Sequence, residues 1–135
     1  MKFSWPVRVY YEDTDAGGVV YYANYLKFFE RARTEYLRQF GLGQKQLIEQ
    51  QDLIFAVRHV SVDYLKPAVF DDLLVVNTEI TGLKKASLVF QQNIVREKDN
   101  VLLCRASCKV ACLQASQLKP RAIPETIIKN FENND

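Results

Sequence analysis

The chain has 135 residues, 48% hydrophobic and 25% charged, with 18 Lys+Arg against 16 Asp+Glu, one histidine and three cysteines. That length allows one domain, expected over residues 1–135, and the hydrophobic fraction excludes a largely disordered chain. A net charge of +2 gives no reason to expect nucleic-acid binding, and a single imidazole excludes a His-rich metal centre.

The first eight residues have no apolar core segment and no small-residue cleavage site, unlike a secretory signal. The longest uncharged stretch, residues 16–26, falls short of the roughly 18 residues a membrane span needs. The expectation is a soluble, cytoplasmic chain with at most peripheral membrane association.

Residues 5–11 are aromatic and β-branched and read as a first strand. Residues 12–18 form a turn-rich break ending in Gly17-Gly18. From 23 to 40 the period changes. Tyr25, Phe29, Ala32, Tyr36 and Phe40 step by threes and fours, with Leu26, Phe28 and Leu37 beside them. That is a broad apolar helical face, and Gly41 is a good stop. A weaker helix is expected over 44–50.

After Leu53 the chain reads as strand: 60–64, 73–81, 86–95 and 101–113. The short links between the later runs favour antiparallel hairpins. Past Pro120 the chain reads as a tail, with a short helix over 125–131. Cys104, Cys108 and Cys112 share one strand face. Neighbouring pairs are about 13 Å apart, too far for a disulfide or a shared metal, so they read as small buried core residues. His59 reads as a satisfied structural histidine, and Trp5 and the Phe and Tyr residues as core. Together these elements imply an α+β fold, one long helix covered by a curved antiparallel sheet.

The most unusual stretch is residues 11–25, where Glu12, Asp13 and Asp15 crowd a turn just before the long helix. A solvated Asx turn is one reading. A calcium loop fails at two ligand positions, where Gly17 and Asn24 stand. The third reading puts a carboxylate beside a helix N-terminus, whose free N–H groups favour a developing oxyanion.

The segment Val7-Arg8-Val9-Tyr10-Tyr11-Glu12-Asp13-Thr14-Asp15-Ala16-Gly17-Gly18-Val19-Val20-Tyr21, followed by Ala23-Asn24-Tyr25, resembles the signature of hotdog-fold acyl-CoA thioesterases. The resemblance points to the Tol-Pal-associated branch of the 4-hydroxybenzoyl-CoA thioesterase family. Glu30-Arg31-Ala32-Arg33-Thr34-Glu35, Val60-Ser61-Val62-Asp63-Tyr64 and Arg121-Ala122-Ile123-Pro124-Glu125 extend it over nearly the whole chain. It implies a hotdog fold and hydrolysis of an acyl-CoA or acyl-carrier-protein thioester. It also implies a homodimer with sites at the subunit interface, with pairing into a tetramer as an extension. No cofactor is implied, coenzyme A being part of the substrate.

By the same resemblance Asp15 is catalytic, as nucleophile or as a general base whose pKa is raised by burial and by Glu12 and Asp13. The carbonyl-polarising backbone N–H falls on Tyr22, where the branch usually carries His. Lys84, Lys85 and Arg121 fall near the nucleotide end of CoA. Asp13 is expected to shape the turn. The rival readings are a hotdog hydratase or dehydratase, which would need His59, and a non-catalytic envelope-associated adaptor.

Overall fold

The structure is a computed structural model and describes residues 2–133. Helix α1 spans Asn24–Gln39 and α2 spans Gln44–Gln51. The strands are β1 (Phe3–Arg8), β2 (Leu53–Tyr64), β3 (Leu73–Ile80), β4 (Ser87–Arg96), β5 (Val101–Gln114) and the short β6 (Lys119–Pro120), followed by α3 (Glu125–Asn133). All pairings are antiparallel, in the order β1-β3-β4-β5-β2, with β6 on β5.

The apolar stripe of α1 lies in the hollow of this sheet. Tyr25, Phe28, Phe29, Ala32, Tyr36 and Leu37 are buried. Leu26, expected beside the stripe, is exposed; it sits about 100° round the helix from Tyr25. Gly41 ends the helix at φ +75°, a conformation that costs glycine nothing.

Two core clusters divide the helix. Its first half packs with Val7, Val9, Val20, Leu74, Val76, Ile94 and Leu103. Its second half packs with Leu53, Leu88, Phe90, Val110, Ile123, Ile127 and Phe131. Between them Gln92 pins helix to sheet. Its amide donates to the Phe29 carbonyl and to Thr78 Oγ1, each at 3.0 Å, and its carbonyl accepts from Arg33 at 3.0 Å. Burial lowers the Arg33 pKa.

Several expectations are corrected. The first strand stops at Arg8, and Tyr11–Asp13 form a 3-10 turn. The Asp13 carboxylate accepts the Tyr10 N–H at 2.8 Å and pulls the chain out of the ladder. The segment after Pro120 is no tail. Arg121 N–H donates to the Cys112 carbonyl and Ile123 N–H to the Lys85 carbonyl, and Ile123, Ile127 and Phe131 close the second cluster.

His59 is exposed and, among the described residues, its side chain has no hydrogen-bond partner. Tyr10, Tyr11, Tyr21, Tyr22, Tyr64 and Phe70 are also exposed; they lie around the acidic turn and the helix start rather than in the core. The cysteines stand as read: three free, buried thiols. Burial pushes the Cys104 thiol up to about 12. Among the described residues no helix is long and apolar enough to cross a membrane, and no group of side chains is arranged to hold a metal ion.

Candidate active site

The acidic turn folds around Asp13. Its backbone carbonyl accepts two donors, the Tyr21 N–H and the Asn24 side-chain amide, each at 2.9 Å. Thr14 Oγ1 bonds the Tyr11 carbonyl at 2.7 Å, and Thr14 bridges Val20. Asp13 is thus consumed in building the loop, as the sequence suggests.

Asp15 occupies the tip. Its N–H donates to the Val19 carbonyl at 2.9 Å, and its carbonyl accepts the Gly18 N–H at 3.0 Å. One carboxylate oxygen, Oδ1, accepts the Gly17 N–H at 2.8 Å, and the residue is exposed. The burial invoked for a general base is therefore not found in the single chain. Both glycines matter. Gly18 sits at φ +82°, and a Cβ on Gly17 would lie 3.2 Å from Asp15 Oδ1.

The start of α1 lies next in the chain. Ala23 occupies the cap position and supplies no side-chain acceptor. Asn24 N–H bonds the Tyr21 carbonyl at 2.8 Å. Among the described residues the Tyr22 and Ala23 N–H groups have no partner. An uncapped helix start carries partial positive charge and free donors. The Asn24 side chain and the Tyr21 N–H tie this donor pair to the Asp15 turn through one shared carbonyl.

A groove of about 250 Å³ opens beside Tyr22, walled by Val20, Tyr25, Tyr64, Leu65, Lys66 and Pro67. Its rings pack edge to face, Tyr22 on Tyr64 at 6.1 Å and Tyr25 on Tyr64 at 5.5 Å between centroids. Tyr25 is buried, and its hydroxyl accepts the Ala68 N–H at 3.0 Å. The Ala68 carbonyl accepts the Val20 N–H at 2.9 Å. Burial raises the pKa of Tyr25 and of Tyr64, and a hydrogen bond with Tyr22 raises that of Tyr21. All three hydroxyls hold their protons at neutral pH. Sequence reasoning missed Tyr25, Tyr64 and Ala68. Tyr64 comes 42 positions after Tyr22, and only the curl of the sheet joins them.

The expected phosphate-binding residues lie elsewhere. Lys85 and Arg121 line one depression of about 160 Å³ with Ala86, Pro120 and Ala122. Lys84 is exposed one residue earlier, its N–H bonded to the Ser87 carbonyl at 2.8 Å. Arg121 also donates to the Gln51 carbonyl at 2.8 Å. These residues sit past the Ile80 end of β3. The Asp15 turn sits at its Leu73 end, where Val19 bridges Val69 and Val9 N–H bonds the Asp72 carbonyl. The structure brings Lys85 and Arg121 to one depression and ties the Asp15 turn to the residues flanking Tyr22 through the Asp13 carbonyl, but separates these two regions within the chain.

A curled antiparallel sheet around one helix has known counterparts. The thioesterase superfamily model matches residues 17–103, well over half of the chain. The chain belongs to the thioesterase superfamily. Asp15 lies two residues before the matched stretch. Among curated thioesterases, the chain is 50% identical to the acyl-CoA thioesterase YbgC of Haemophilus influenzae over 131 residues, covering 97% of this chain and 95% of that protein. It is also 50% identical to the acyl-CoA thioester hydrolase YbgC of Escherichia coli O157:H7, over 96% of each. Among solved thioesterases, the 1,4-dihydroxy-2-naphthoyl-CoA thioesterase of Synechocystis superposes with a TM-score of 0.91 at 26% identity, covering 98% and 97% of the two chains. A probable thioesterase from Bartonella henselae gives 0.86 at 36% identity, covering 92% of this chain and all of that one. The fold is the hotdog thioesterase fold.

Proposed function

We propose that this thioesterase hydrolyses acyl-CoA, releasing a carboxylic acid and free CoA. The observation that carries the reading is an exposed Asp15 carboxylate on a turn that the Asp13 carbonyl ties to an uncapped helix start. The 50% identity to proteins named as acyl-CoA thioesterases supplies the substrate class.

The thioester carbonyl lies against the Tyr22 N–H, which polarises it and then stabilises the oxyanion. Asp15 attacks the carbonyl carbon as an ionised carboxylate. The C–S bond breaks, CoA leaves as its thiolate, and an acyl–aspartyl anhydride remains. Water cleaves the anhydride, restoring Asp15 and releasing the acid. Direct attack needs only a well-aimed carboxylate and a good leaving group, and the CoA thiolate is one. A hydratase is disfavoured, because His59 faces outward from β2 and does not line the Tyr22 groove.

The site also suggests a second subunit. The sheet has two edges. On β1, Pro6 lacks an N–H and blunts pairing. On β2, twelve residues run without proline, and Val57, Val60 and Tyr64 leave apolar surface exposed. Antiparallel pairing of two β2 strands about a two-fold axis would set the Tyr64 end of one beside the Leu53 end of the other. The Asp15 turn of one subunit would then meet the Lys85–Arg121 depression of its partner. A homodimer is the working unit in this reading, with a tetramer as its extension and a cytoplasmic location.

A panel of acyl-CoA esters, followed by free-thiol release, tests the activity and finds the acyl group. No thiol release above background across the panel would sink the reading. Light scattering tests the assembly, and a stable monomer with full activity would refute it.

A further inference from the structure

The one histidine lies where the proposed hydrolysis does not use it. His59 sits on the outer face of β2, with Lys109 of β5 as its register partner. The bulge between Val57 and His59 accommodates Arg58. Arg58, His59 and Lys109 all line one cleft of about 420 Å³, walled also by Ala86, Ala111 and Pro120. No carboxylate lines it. Among the described residues none of the three side chains has an ion pair or hydrogen bond. Arg58 and Lys109 bring two cations to one cleft, and among the described residues no carboxylate is paired with either. Such a cleft suits an external anion.

The neighbouring depression identifies the anion. The cleft shares Ala86 and Pro120 with the hollow that holds Lys85 and Arg121. Two basic hollows therefore lie on either side of one common wall. Coenzyme A carries phosphate at two places, a diphosphate and a ribose 3′-phosphate. We propose that Arg58, His59 and Lys109 form the subsite for the 3′-phosphate, while Lys85 and Arg121 face the diphosphate. This rests on acyl-CoA as the substrate.

Charge matching assigns the two. A phosphate monoester carries roughly −1.5 to −2 at pH 7 on three acceptor oxygens. The larger cleft offers a guanidinium fork, an ammonium and an imidazole N–H. Each charged donor adds a strong, directional bond to a phosphate oxygen. The cleft therefore selects CoA over carriers that present pantetheine without a 3′-phosphate.

The test compares kcat/KM for one acyl-CoA and its dephospho-CoA analogue, which lacks only the 3′-phosphate. The native enzyme should prefer acyl-CoA by about tenfold or more, the value of one charge-assisted bond. In Arg58→Ala, and separately in Lys109→Ala, that preference should fall toward one. Equal losses on both substrates, or an unchanged preference, would overturn the subsite. If the native protein hydrolyses neither, the hydrolase reading fails and the cleft is read directly. Calorimetric titration should then show adenosine 3′,5′-bisphosphate binding more tightly than adenosine 5′-phosphate, with the difference lost in Arg58→Ala. Equal binding of the two nucleotides would overturn the subsite.

Discussion

The two ends of β3 make opposite provisions. At Leu73 the neighbouring loops carry carboxylates, glycines and tyrosines, and a helix start left open. At Ile80 they carry Lys84, Lys85 and Arg121, with Arg58, His59 and Lys109 beyond. Eight residues of strand, about 26 Å, lie between. The first end has free backbone donors and an exposed carboxylate on one hydrogen-bonded loop, the set that the proposed hydrolysis uses. The second gathers cations, and no carboxylate lines either of its hollows. In the proposed reading one chain carries a reacting end and a substrate-holding end and keeps them apart, and a second copy brings them together.

The sharpest way to break this contrast is to neutralise Asp15. Asp15→Asn keeps the acceptor for the Gly17 N–H but removes the proposed nucleophile. Thiol release should fall roughly a thousandfold or more in kcat, with an unchanged circular dichroism spectrum. Next comes Gly18→Ala, which forces a side chain onto φ +82°. It should cost roughly 1–2 kcal/mol of stability, read as a lower Tm. Displacement of the turn should also lower kcat by roughly tenfold.

Lys85→Glu tests the other end. It should raise KM for acyl-CoA by about tenfold at low salt, and less at 1 M salt, where charge is screened; kcat should change little. The smallest effect belongs to Asp13→Asn. The amide oxygen still accepts the Tyr10 N–H, and the Asp13 carbonyl is untouched. Turnover should stay within about threefold of the native rate. A collapse equal to that of Asp15→Asn would erase the distinction between the two aspartates.

Much of this was legible in the sequence where periodicity and punctuation agree. The 3.6-residue stripe and Gly41 placed α1 to within about a residue, and even spacing put the three cysteines inside. The candidate site was legible only through its motif. Asp15 and Tyr22 are seven positions apart, and the turn that joins them is local. The groove was not legible, because Tyr64 and Ala68 reach Tyr25 through tertiary folding. The docking of residues 121–133 left a fainter signal. Ile123, Ile127 and Phe131 recur every four residues, a stripe too short to separate a docked helix from a tail. The exposure of His59 was not legible from alternation, because Val57 and Val60 are exposed beside it on an edge strand.

The open helix start has one further consequence. The donor assigned to the substrate carbonyl is the peptide N–H of Tyr22, while its ring stands in the groove. Any residue but proline supplies that N–H. Position 22 can therefore be diversified to reshape what the groove accepts while the reaction machinery is inherited unchanged. In directed evolution, a library at this single codon is the economical place to begin redirecting the enzyme toward new acyl groups.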